Sequence, residues 1–124
     1  MPGINAALGL SQLKKLNNII KLKRKLFNKY KVNLKNLNHI KLLSESKLER
    51  SNYWLISIML DKNNSRLQKD IVRFFNDKKY YIRPIWKPLH QNKHLRKFPK
   101  MNLKNTNSIC KRIINLPSSP SLTR

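Results

Sequence analysis

From Ile4 to about Tyr30 the apolar residues recur at the spacing of one long helix. Leu13, Leu16, Ile20 and Phe27 share a stripe that Leu10, Ile19 and Leu26 widen, while lysines fill the opposite side. The segment is a long amphipathic helix. The helix is expected to begin after Pro2-Gly3. A polar break follows from Asn33 to Asn38. His39-Ile40-Lys41-Leu42-Leu43 is then a short strand candidate, and Ser44 to Ser51 a charged loop. Asn52 to Leu60, rich in aromatic and branched residues and closed by Asp61-Lys62-Asn63-Asn64, reads as a buried strand placed centrally in a sheet. Alternation along it assigns Tyr53 and Trp54 to the core.

Ser65 is positioned to cap a second helix running to about Asp77, with Leu67, Ile71, Phe74 and Phe75 on the face that covers the sheet. Tyr80 to Trp86 begins as a strand, but Pro84 lacks the amide hydrogen that a central ladder needs, so it ends there or runs along an edge. Lys87 to Asn102 has no periodicity and reads as a surface loop with a helical turn near His94. Leu103 to Ile113 fits a third helix. Thr123 stands where the cap of a further helix would be. The expected fold is α+β: a long N-terminal helix over residues 1–36, and over 37–120 a small, mostly antiparallel sheet covered by helices.

The chain of 124 residues has 28 Lys+Arg against 5 Asp+Glu, a formal charge of +23. That field attracts polyanions, and non-specific binding to nucleic acid follows from charge alone. A small basic nucleic-acid-binding protein is therefore one reading. The lysines are spread from Lys14 to Lys111, however, beside many Asn and Ile, which is also the drift of an AT-rich genome. The densest run, Lys21 to Lys25, lies in the first helix as its wet face. No apolar run approaches the roughly 18 residues of a membrane span, and the N-terminus has no cleavable signal pattern, so the expectation is a cytoplasmic protein. Cys110 is the lone cysteine, and with three scattered histidines there is no metal-ligand spacing.

Four segments in order carry a resemblance: Met1-Pro2-Gly3-Ile4-Asn5-Ala6-Ala7-Leu8-Gly9-Leu10-Ser11-Gln12-Leu13, Arg50-Ser51-Asn52-Tyr53-Trp54-Leu55, Arg83-Pro84-Ile85-Trp86-Lys87-Pro88-Leu89-His90, and Ile114-Asn115-Leu116-Pro117-Ser118-Ser119. Together the chain resembles the C-terminal small domain of the DegT/DnrJ/StrS-type sugar aminotransferases, pyridoxal-phosphate enzymes of the aspartate-aminotransferase fold. The resemblance implies transfer of an amino group, usually from glutamate, to a nucleotide-linked keto sugar for surface polysaccharides such as lipopolysaccharide, in a homodimer. It also implies that the Schiff-base lysine, the partner of the pyridine nitrogen and the phosphate cup lie upstream of the position matching Met1. No catalytic or cofactor-binding residue is then expected in this chain, which reads as a fragment inactive on its own, with an exposed apolar face where the large domain would pack.

The same resemblance implies substrate-binding residues. His90 matches a position at the rim of the active site, where it would hydrogen-bond or pair with phosphate; otherwise it is a loop histidine. Arg83 would anchor an anion, or is one more surface cation. Trp86 would stack on a ring or line the pocket, or belongs to the core. His39 and His94 have no chemistry assigned, and Cys110 is read as packing.

Overall fold

The computed structural model describes residues 2–61 and 64–123. Helix α1 spans Gly3–Leu34, 32 residues, or about 48 Å at 1.5 Å per residue. Its two halves have different surroundings. Every residue from 3 to 18 is exposed, whereas Leu26 and Phe27 are buried and Tyr30 and Leu34 pack against the core.

Strands β1 (Ile40–Leu42), β2 (Ile56–Leu60), β3 (Arg83–Pro84) and β4 (Ile113–Leu116) form one antiparallel sheet in the order β1-β2-β4-β3. The register aligns Leu42, Ile58 and Ile114 in one row across the sheet. Alternation puts Ile40, Ile56, Leu60 and Leu116 on that same face, and the second half of α1 lies against it. Helix α2 (Ser65–Asp77) packs there too, through Ile71 and Val72. Gln68, buried on α2, donates from Nε2 to the carbonyls of Ile113 (2.7 Å) and Cys110 (3.1 Å) and ties that helix to β4.

The segment expected to be a third helix through Ile113 divides. Helix α3 is Lys104–Ile109 only, and Ile113–Leu116 is a central strand bonded on both sides. Two flanking strands offer its amides partners that an isolated helix end would lack. The cap of α2 is Asn64, whose Oδ1 accepts the amides of Arg66 (3.0 Å) and Leu67 (3.2 Å), rather than Ser65. Of the turn expected before it, residues 62 and 63 lie outside the described ones. Leu67, Phe74 and Phe75 are exposed, so the covering face of α2 is Gln68, Ile71 and Val72. The strand at β2 starts at Ile56, four residues later than expected, and the central and edge placements of β2 and β3 agree with the expectation. The chain closes on a 3-10 turn, Pro120–Thr123, against α1; there the Thr123 hydroxyl donates to the Pro120 carbonyl (2.7 Å).

Candidate functional site

Arg83 sits on edge strand β3 opposite Asn115, which in turn faces Ser57, so the three residues make one polar row across the sheet face opposite the core. The Ser57 hydroxyl donates to Asn115 Oδ1 at 2.7 Å. Arg83 itself is exposed, on the edge strand that ends the row. Pro84 ends the strand and the chain leaves the sheet at Trp86. That tryptophan is 61% exposed and lies outside this domain's core.

Alternation assigns Trp54 to the core, and the structure places it outside. It precedes β2 instead of lying in it, is 61% exposed, and its ring centroid is 5.6 Å from that of Trp86. Tyr53 is buried as expected, stacked on Phe27 with centroids 3.9 Å apart. The clue available in the sequence was position: Trp54 falls inside the same Arg50–Leu55 segment that carries the resemblance.

His90 lies half-buried in a 3-10 turn, Leu89–Gln91. Its Nε2 donates to Asn107 Oδ1 at 2.8 Å, and Gln91 Nε2 donates to the same oxygen at 3.1 Å. With a proton on Nε2 for that bond, the neutral ring keeps Nδ1 as a hydrogen-bond acceptor. Among the described residues no hydrogen bond joins Arg83, Trp86 and His90 to one another. His39 and His94 are exposed, and Cys110 Sγ contacts the Asn107 carbonyl at 3.3 Å.

The lysine run of α1 is more than a wet face. Arg24 forms a two-pronged ion pair with Glu45, one arm at 3.0 Å, and donates to the Ser51 carbonyl at 2.7 Å. Arg24, with the Ser51 amide second, holds the Glu45 carboxyl down at about 2. Lys23 Nζ donates to the carbonyls of Ser118 (2.8 Å), Trp54 (3.1 Å) and Tyr53 (3.5 Å), and burial pushes this amine below its ordinary value. A depressed lysine is what Schiff-base chemistry with pyridoxal phosphate requires. Lys23 does not fit that role, because its ammonium hydrogens are already directed at three main-chain oxygens. A groove of about 1040 Å³ between α1 and residues 50–52 is lined by Lys21, Lys25, Arg50 and amides such as Asn28 and Asn52, with no carboxylate and no aromatic ring. Arg83, Trp86 and His90 do not line it.

No cluster of potential metal ligands and no helix long and apolar enough to cross a membrane occurs among the described residues. The profile of the DegT/DnrJ/EryC1/StrS aminotransferase family matches residues 1–124. EpsN of Bacillus subtilis (strain 168), named as a pyridoxal phosphate-dependent aminotransferase, is 32% identical over 127 residues, covering 99% of this chain and 32% of the relative. GDP-perosamine synthase of Escherichia coli O157:H7 is 32% identical over 124 residues, with the same coverage of each chain. Among solved structures, PseC of Helicobacter pylori, an aminotransferase involved in the biosynthesis of pseudoaminic acid, superposes with a TM-score of 0.86 at 23% identity, over 96% of this chain and 32% of its own. The chain thus spans about a third of the length of the curated relatives it matches.

Proposed function

The chain belongs to the DegT/DnrJ/EryC1/StrS aminotransferase family, and from that membership we propose that it is the small domain of an enzyme that aminates a keto sugar carried on a nucleotide. The amino donor is glutamate, the assembly a homodimer in the cytoplasm, and the amino sugar is destined for surface polysaccharide. Within the domain, residues 1–36, which contain α1, are the segment that bridges to the remainder of the enzyme, and residues 37–120 are the sheet-and-helix layer. The observation that carries the reading is the family match over the whole chain, joined to relatives named for GDP-perosamine synthesis.

Pyridoxal phosphate is the cofactor of this family. The residues described here do not fit it, since the one lysine with a lowered pKa is bound to the Tyr53, Trp54 and Ser118 carbonyls. As the family resemblance implies, the Schiff-base lysine and the phosphate cup belong to the two thirds of the relatives' length that this chain does not span. What the 124 residues contribute is a wall of the substrate site. Arg83 is an exposed guanidinium for the diphosphate, Trp86 an exposed ring for an apolar face, and His90 a hydrogen-bonding group oriented by Asn107. The nucleic-acid alternative has less support, because it accounts for the charge of +23 and not for the family match over the whole chain.

The test is a graft. Residues 1–124 replace the matching third of the Escherichia coli GDP-perosamine synthase, and amino transfer from glutamate to its keto nucleotide sugar is measured. The graft should retain activity, with Arg83→Ala and His90→Ala each raising KM by roughly tenfold or more. A folded, cofactor-loaded graft without activity would overturn the assignment.

A further inference from the structure

The backbone at Tyr53 is left-handed, with φ 47, a conformation that a bulky residue adopts only when its surroundings hold it there. Here they do so from several sides. Ser51 Oγ accepts the Tyr53 amide at 3.0 Å and Asn52 Oδ1 accepts the Trp54 amide at 2.9 Å. The Tyr53 ring lies against Phe27 within 13° of parallel, and the Arg24 guanidinium sits 5.4 Å from its centroid. From α1, Lys23 reaches the Tyr53 and Trp54 carbonyls and pins the same turn to Ser118. The result of this bracing is not burial: it turns the largest side chain of the segment outward, beside the equally exposed Trp86. Two tryptophans in contact, both exposed on this chain and one presented by a strained turn, offer an aromatic surface that a ligand ring can stack on.

We infer that Trp54 is a second substrate-contacting residue, forming with Trp86 one aromatic surface for the ring face of the nucleotide-linked sugar, and that Lys23 is the residue that positions it. This rests on the substrate-site reading of Arg83, Trp86 and His90 and extends it to a residue and a support outside that set. Either the base or the hexose presents a suitable face.

The chain's only tryptophans are these two, so indole spectroscopy of the whole chain reads the surface directly. Without ligand, the pair should give an exciton couplet in circular dichroism that vanishes in W54F and W86F and shrinks in K23M while the helical signal persists. An unchanged couplet in K23M would remove Lys23 from the proposal, and its absence from the wild-type chain would remove the pair. With ligand, W86F reports on Trp54 alone and W54F on Trp86 alone. Both should shift in emission on titration with GDP-mannose, and W54F should bind it roughly three- to tenfold more weakly. GDP and mannose 1-phosphate, titrated separately, distinguish base from hexose as the stacked face. A response from Trp86 but none from Trp54 overturns the inference and leaves the substrate-site reading standing. Silence from both overturns the two together.

Discussion

Lys79 occupies the left-handed region with φ 65 at the end of α2. Its amide bonds the Asn76 carbonyl at 2.9 Å, the Tyr80 amide bonds Phe75 at 2.9 Å, and the Phe75 and Tyr80 rings meet edge to face. This is the helix ending in which glycine is at home and a side chain is strained. Lys79→Gly should therefore raise unfolding free energy, by about 1 kcal/mol, in urea denaturation; a loss would show that the lysine side chain has a role of its own. Glu45 makes a prediction about pH. Arg24 and the Ser51 amide hold its folded pKa at about 2, below the ordinary 4.5, so its contribution is full above about 4.5 and is lost as pH falls toward 2. Acid titration of the fold should show that limb, and Glu45→Gln should flatten it while lowering stability at neutral pH. Neither Lys23 nor Arg24 was legible in the sequence as anything but surface charge, because their partners lie 21 or more residues away.

At the scale of elements, β4 is where the reading of periodicity failed. Ile109 and Ile113 stand four apart, which suits a helix, yet the strand takes over at Ile113 because β2 and β3 bond it from both sides. A segment of four residues carries too little local preference to announce this. Ile114 has no exposed surface and lies at the centre of the sheet. Ile114→Ala should cost roughly 2–5 kcal/mol, measured by denaturation, and a cost under 1 kcal/mol would contradict the central role of β4. α1 and α2 announced themselves through long apolar repeats and were found within a few residues of their observed ends. Which side of α2 faced the sheet was not evident, since Phe74 and Phe75 are more apolar than the buried Gln68.

Over the whole molecule the apolar surface is distributed unevenly. Ile4, Leu8, Leu10, Leu13 and Leu16 all lie exposed on the first half of α1, a stripe continuous with the one that the sheet covers further along. In water this half should drive self-association, opposed by the charge of +23. Sedimentation should show association rising as salt screens the repulsion, and Leu13→Glu with Leu16→Glu should suppress it. A chain that stays monomeric at high salt would show that the stripe is tolerated in solvent. Hydrogen exchange gives a second check: amides of residues 5–15 should exchange far faster than those of β2 and β4, whose helix or strand partners are in place.

Periodicity alone determined the long helix, the second helix and a small sheet, since these depend on repeats that run for several turns or on branched residues in series. The ordered motifs determined the family and nominated Arg83, Trp86 and His90. Tertiary structure decided what depends on partners distant in the chain: that Ile113–Leu116 is a strand, that Lys23 and Arg24 are staples, and that Trp54 stands outside beside Trp86. The reason is physical. Local preference for helix or strand is a fraction of a kcal/mol per residue, and a main-chain carbonyl or a strained φ leaves no mark on composition, so where such contacts decide, only the assembled fold displays them.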